Sequence, residues 1–345
     1  MKADTQPFQT AMSRDEVRAQ LARLPRVSLA CLPTPLHELP RLAAELGGPR
    51  LFIKRDDLTG AAFGGNKLRN LEFRMAAAGD MGADTIIVEL DQQSNSARQT
   101  VAAANKLGMR TILILQGHMP EVVQGNLLVD FLLGADVRFA GTRDDQRRMA
   151  EAALDEVRAA GGTPCLLNDL PMFDEGSAFA YIESTLEILD SLDADGLTPS
   201  ALFMSSSGKG QAGLELARAL LGADFAVRGI SATDEFDDIP ARTASIANRA
   251  AGTLDLPVRI AAEDVDNDRS FIGARYGVPS GAGNEAVRLF ARTEGIILDP
   301  VYTGKCAAGM IAHIRRGDFG PDDIVVFVHT GGTPAIFTHN HLWTP

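Results

Sequence analysis

The sequence predicts an α/β fold of two lobes, each a mainly parallel sheet flanked by helices. Short apolar runs alternate along its 345 residues with longer segments of helical periodicity, as βα units do. Several runs are apolar on both faces, which suits parallel strands covered by helices. The runs are also too many for one compact doubly wound sheet, so two sheets are expected. Length agrees, since a domain takes about 150 residues.

Ser13-Arg14-Asp15-Glu16 has the spacing of a capping box and opens a helix to about Leu24. The proline-rich LACLPTPLHELP stretch that follows reads as extended and turn-containing. Leu51–Lys54 is the first strand of the alternating series, and Lys67–Ala78 the helix after it. The strand Thr85–Leu90 leads to the helix Ser96–Leu107, and the strands Thr111–Leu115 and Val137–Ala140 to the helix Arg143–Ala160. Cys165–Leu167 is a strand, Phe179–Leu192 a helix, Ala201–Met204 a strand and Gln211–Leu221 a helix. Val227–Ser231, the helices Asn284–Glu294 and Cys306–Arg316, and the strand Ile324–His329 complete the series. No internal repeat or low-complexity linker marks a domain boundary.

Composition narrows the function. Apolar residues make up 45% and charged residues 23%, which is ordinary for a globular protein. The net charge of −12, without a basic stripe, argues against nucleic acid as a partner. No apolar stretch is long enough to span a bilayer, and MKADTQPFQT lacks the apolar core of a signal peptide, so no membrane association and a cytoplasmic location are expected. Cys31, Cys165 and Cys306 are far apart and read as buried free thiols. His339 and His341 lie in the terminal HNHLWTP, which reads as a plain tail. No metal site is expected.

In parallel sheets, ligands bind at the carboxyl ends of strands. Four loops there carry chemistry. In Gly64-Gly65-Asn66-Lys67, two glycines and an asparagine deliver a lysine to the positive end of a helix. An isolated lysine there is most simply a solvated one; the alternative is a Schiff-base lysine, whose neutral form a positive environment favours. Gln92-Gln93-Ser94-Asn95-Ser96 offers hydroxyls and amides at a helix start, either as an ordinary N-cap or as a carboxylate receptor. Ser205-Ser206-Ser207-Gly208-Lys209-Gly210 has the small residues and hydroxyls of a phosphate loop. It also contains Gly208-x-Gly210-x-x-Gly213, formally a dinucleotide fingerprint, with Asp234 as its acidic companion. The fourth loop, His329-Thr330-Gly331-Gly332-Thr333, adds hydroxyls and backbone donors. Tyr181, Tyr276 and Tyr302 are the chain's three tyrosines, and each taken alone is most simply a core aromatic.

Together these segments resemble the D-cysteine desulfhydrase and 1-aminocyclopropane-1-carboxylate deaminase family of pyridoxal-phosphate enzymes, which includes L-cysteate sulfo-lyase-like members and has the tryptophan synthase β-like fold. The resemblance runs in order through LPTPLHELPRLAAELGG, LFIKRDDLTG, GGNKLRN, QSNSARQT, QAGL, DPVYTGK and HTGG. It implies pyridoxal 5'-phosphate as cofactor, held by Lys67 through a Schiff base with Asn66 beside it. It further implies that Asn95 bonds the cofactor's phenolic oxygen, that Ser205, Ser206, Ser207, Gly208, Lys209 and Gly210 hold its phosphate, and that Thr330 meets its pyridine nitrogen. Gln93, Ser94 and Asn95 would bind substrate, Ser94 taking the carboxylate and a part in proton transfer, and Tyr276 and Tyr302 would face it. A small domain of residues 66–178 inserted into a large one (1–65 plus 179–345), and a homodimer, are also implied.

The chain departs from the family where Glu89-Leu90-Asp91-Gln92 replaces a small neutral run, where Ser96 replaces His or Gln, and where Ser206-Ser207-Gly208-Lys209-Gly210 replaces a sequence close to GSGGT. Thr303 stands where the deaminase branch tends to have glutamate and the desulfhydrase branch threonine. The expected reaction is β-elimination and deamination of a small amino acid to pyruvate and ammonia, with Lys67 as base and a tyrosine moving a proton. Alternatives are cyclopropane ring opening, a lyase for a diamino acid recognised by Glu89 and Asp91, a non-catalytic amino-acid binder, and an NAD(P)-dependent oxidoreductase.

Overall fold

The computed structural model describes residues 11–170 and 172–344. The stretch MKADTQPFQT lies outside the described residues. In chain order the elements are α1 (Arg14–Leu21), β1 (Leu36–Glu38), α2 (Pro40–Leu46), β2 (Arg50–Lys54), α3 (Lys67–Asp80), β3 (Thr85–Asp91), α4 (Asn95–Lys106), β4 (Arg110–Gln116), α5 (Gly125–Leu132), β5 (Asp136–Ala140), α6 (Arg143–Ala159) and β6 (Pro164–Leu166). There follow α7 (Glu175–Asp193), β7 (Ala201–Ser205), α8 (Lys209–Leu221), β8 (Ala226–Ile230), α9 (Ile239–Thr253), β9 (Asn267–Asp268), α10 (Gly281–Glu294), α11 (Thr303–Arg315), β10 (Ile324–Val328) and α12 (Ala335–Thr338).

The strands form two sheets. The larger has the order β1-β2-β10-β7-β8-β9 and the smaller the order β5-β4-β3-β6. Every pairing is parallel except β1 with β2. In β10, IVVFV is buried along its whole length between β2 and β7, as a strand covered on both faces requires. All eight expected strands are present, so the expected α/β architecture is the observed one. The capping box at Ser13 and Glu16 is complete, but α1 stops at Leu21 rather than near Leu24. The reason is Pro25, which disfavours helical backbone in the residue before it.

A buried ionic cluster fixes α3 against the larger sheet. Arg69 is fully buried and pairs with Asp56 at 2.8 Å and Glu187 at 2.7 Å, while Lys54 of β2 reaches Glu187 at 2.5 Å. One carboxylate on α7 thereby joins β2 to α3. Removing one partner of such a cluster leaves an uncompensated buried charge, which costs about 3–5 kcal/mol. Lys67 stands at the first position of the helix so anchored.

Two sequence expectations are corrected. Cys165 and Cys306 are buried, but Cys31 is exposed beside the Gly60 turn. The C-terminal HNHLWTP is not a plain tail: α12 and a short 3-10 turn fold it back, and Arg288 stacks on Trp343. Among the described residues no helix is long and apolar enough to cross a membrane.

Candidate active site

The loops after β2, β3, β7 and β10 converge on one cavity of about 320 Å³. Asn66, Lys67, Ser94, Asn95, Ser205, Ser206, Ser207, Lys209, Gly210, Tyr276, Tyr302 and Thr330 all line it. Gln93 and Gly208 do not.

Lys67 projects from the first turn of α3, and its Nζ donates to Asn66 Oδ1 at 3.1 Å. Burial, with Arg74 and Lys209 nearby, pulls its pKa down to about 8. The neutral amine needed of a nucleophile or base is therefore within reach near neutral pH. Backbone geometry fixes its position. The Asn66 N–H donates to Thr330 O at 3.0 Å, and Thr59 Oγ1 donates to Gly65 O at 2.7 Å. Gly65 has φ +116°, and a Cβ there would meet the Gln99 amide at 2.7 Å. Gln99 accepts from Leu68 N and donates to Asn95 O, joining the starts of α3 and α4.

The Ser94 hydroxyl caps α4, accepting from Ser96 N at 3.1 Å and Ala97 N at 3.3 Å, and the residue also lines the cavity. Asn95 Oδ1 accepts from Asn126 Nδ2 at 2.9 Å, which leaves its Nδ2 as the donor to the cavity. Gln93 is turned away. Its Oε1 accepts from Asn126 N at 2.9 Å and its Nε2 donates to Gln124 O at 3.1 Å, so its amide holds the start of α5 rather than a ligand.

In the loop before α8, Ser206 N is used by Ile230 O and Gly208 N by Ser206 Oγ. First-turn N–H groups have no intrahelical partner, and those of α8 open on the cavity where Lys209 and Gly210 line it. Gly208 makes the turn instead, with φ +111°. The residues of the dinucleotide fingerprint have other tasks here. A Cβ on Gly213 would strike the Ala178 carbonyl, so that glycine serves the packing of α8 on α7. Asp234 accepts from Tyr276 N at 2.9 Å and thereby positions that tyrosine.

The hydroxyls of Tyr276 and Tyr302 are hydrogen-bonded to each other in the cavity wall. Burial raises both pKa values, that of Tyr302 well above the ordinary range. Each hydroxyl therefore keeps its proton near neutral pH. Tyr302 is set by Asp299, a buried carboxylate that accepts from Val301 N, Tyr302 N, Thr303 N and Thr303 Oγ1 at 2.6–3.0 Å. Thr303 is thus spent on Asp299 and does not line the cavity.

Of the acidic pair before Gln92, only Asp91 lines the cavity, paired with Arg143 at 2.9 Å. Glu89 pairs with Arg147 at 3.3 Å and does not reach it. Glu235, from the loop after β8, does. Sequence reading missed it, and also missed Asn70, Arg74, Ser177 and the buried Tyr181. The available signal was the helical stride from Lys67, which puts positions 70 and 74 on its face.

These residues fit a phosphorylated aldehyde cofactor. A buried low-pKa amine stands at the cavity wall and phosphate-type donors open on the same space. The buried lining atoms Asn70 Oδ1, Arg74 Nε and Tyr181 Oη have no hydrogen-bond partner among the described residues.

Comparison with known proteins agrees. The sequence profile of the family described as "Pyridoxal-phosphate dependent enzyme" matches residues 27–331. The chain is similar to D-cysteine desulfhydrase of Salmonella paratyphi C, 37% identical over 93% of this chain and 98% of that one. It is 36% identical to D-cysteine desulfhydrase of Salmonella typhi, over the same shares. Among solved structures, one titled as an ACC deaminase homologue superposes with a TM-score of 0.83 at 31% identity, covering 98% of this chain and 99% of that one. A fungal L-serine ammonia-lyase from Rhizomucor miehei shares the fold at a TM-score of 0.60 and 18% identity, over 90% of this chain and 96% of that one.

Proposed function

The chain belongs to the pyridoxal-phosphate-dependent enzymes, and from that membership and the cavity's arrangement we propose a lyase that removes a β-substituent and the amino group from a small amino acid, giving pyruvate and ammonia. The D-cysteine desulfhydrase relatives make a β-thiol the leading substrate class. The observation that carries the reading is Lys67, a low-pKa amine in a cavity shared with two protonated tyrosines. It also argues against a rival in which the fold binds amino acids without turnover.

Pyridoxal phosphate, when bound at Lys67, supplies an electron sink for charge developing at the substrate Cα. The protein's own residues do the rest. The Ser94 hydroxyl, at the positive end of the α4 dipole, receives the substrate carboxylate. Asn95 Nδ2 and Thr330 would hold the cofactor's ring. The neutral Lys67 Nζ takes the proton from Cα. The bonded tyrosine pair holds a proton for the departing group, Tyr276 through its shared hydrogen bond with Tyr302. Residues 66–178 form the smaller of two catalytic lobes in this reading.

A second reading, a substrate with a second amine, draws support from Asp91 and Glu235 at the cavity wall. Arg143 already balances Asp91, which favours the thiol reading. We further propose a homodimer in the cytoplasm. Leu132, Val122 and Phe337 are 82%, 66% and 57% exposed near the packed pair α5 and α12, and no disulfide links the three cysteines.

The test is pyruvate and ammonia release from D- and L-amino acids carrying thiol, sulfonate, chloride or amine at Cβ. Turnover fastest on a β-thiol and lost in Lys67→Ala supports the proposal. Turnover only on a diamino acid would replace it with the second reading, and tight amino-acid binding without product would reinstate the binder.

A further inference from the structure

Past Lys67, the cavity follows one face of α3. Asn70 and Arg74 stand three and seven residues on and both line it. At its far end the charges do not balance. Lys209 pairs with Asp174 at 2.6 Å, while Arg242 and Arg249 approach the same carboxylate at 3.7 and 3.6 Å. Arg249 also holds Glu175. Among the described residues Arg74 has no carboxylate within salt-bridge distance, although it is only 5% exposed. It lies 3.9 Å over the Phe173 ring, and its one side-chain hydrogen bond is from Nη2 to Ser177 Oγ at 3.3 Å. Four cations thus face two carboxylates, an excess of two positive charges. Arg74 Nε and Asn70 Oδ1 have no partner among the described residues. Burial pulls the guanidinium pKa down to about 10, against the more distant pull of Asp174 and Glu175.

We propose that Arg74, with Ser177 beside it and Asn70 one turn earlier, forms the second wall of a dianion site whose first wall is the start of α8. The ligand class is a phosphate monoester, and in the reading above it is the cofactor's phosphate. A dianion there would neutralise the excess charge and satisfy Arg74 Nε. The ligand's identity rests on the proposed function, whereas the charge imbalance does not. Arg74 is a binding residue here and has no part in proton transfer.

The experiment uses the full chain stripped of cofactor. Cofactor affinity is measured by visible absorbance, and affinity for inorganic phosphate by calorimetry, in wild type, Arg74→Gln, Arg74→Lys and Ser177→Ala. Arg74→Gln is expected to weaken both by about ten- to hundred-fold, the scale of a lost charged hydrogen bond, with the absorbance maximum at saturation unmoved. Arg74→Lys should recover most of the loss, and Ser177→Ala, which leaves the buried charge in place, should lose a smaller part. Wild-type phosphate and cofactor affinity in Arg74→Gln would overturn the proposal, as would a lowered melting temperature with both affinities intact. If even wild type gains no visible band with the cofactor, the functional reading fails. Phosphate affinity would then decide the site alone: a loss in Arg74→Gln keeps the dianion site, and equality removes it.

Discussion

The backbone N–H of Asn66 donates to the carbonyl oxygen of Thr330 at 3.0 Å, joining the loop that presents Lys67 to the loop after β10. At that crossing a Cβ on Gly331 would lie 2.7 Å from Gly65 Cα, and Gly331 has φ +93°. The two loops approach so closely because neither glycine has a side chain.

Gly331→Ala should therefore push the loops apart. We expect about 1–3 kcal/mol of lost stability, from left-handed strain and overpacking together, and weaker cofactor binding. Thermal melting and an absorbance titration check both. Wild-type behaviour would show that the loops are not held by this contact.

Tyr302→Phe and Tyr276→Phe each break the shared hydrogen bond. Turnover should fall about 10²–10⁴-fold, the range for loss of a proton-transferring group, with cofactor affinity unchanged. Equal loss of cofactor and turnover would mean that the pair only supports the cavity wall.

Asp299→Ala removes the acceptor for three backbone N–H groups at the start of α11. Each donor left buried without a partner costs about 1–3 kcal/mol, so the melting temperature should drop. Turnover should fall as well, because Tyr302 is displaced. Loss of stability with kcat and KM unchanged would separate Asp299 from the site.

Much of this was legible beforehand. The central strands carry apolar runs, such as IVVFV in β10, and the four loops are marked by glycine, serine and asparagine residues at strand ends. The helices α5 and α9 were not expected. In GNLLVDFL the apolar residues are too dense for a helical period to show, and α9 buries mainly small residues, Ala244, Ala247 and Ala250 among them. Gln93 misled because its neighbour Ser94 faces the cavity, and only the Asn126 contacts fix which way its amide turns. Arg74 was hidden because its unpaired charge depends on Asp174 and Ser177, a hundred residues along the chain.

Asp130 on α5 makes stability depend on pH. Its carboxylate is fully buried and both of its oxygens lack partners among the described residues. Burial pushes its pKa from 3.8 up to about 7, against the pull of Arg98. Between those values the folded state holds the proton and the unfolded state has lost it. This contribution to stability is therefore lost as pH rises from 3.8 to about 7, and is flat above. Asp130→Asn should gain on wild type by up to about 4 kcal/mol between pH 4 and pH 8. Melting curves of the two proteins across that range check it, and parallel curves would contradict the burial argument.

Lys67 carries the whole functional account, and the visible spectrum of the purified protein with pyridoxal phosphate tests it most directly. Wild type should develop a yellow band, and develop it faster as pH rises through about 8, where the amine loses its proton and becomes the nucleophile. In Lys67→Ala that band should be absent, although the cofactor still binds through its phosphate. The same band in Lys67→Ala, or no cofactor binding by either protein, would contradict the account.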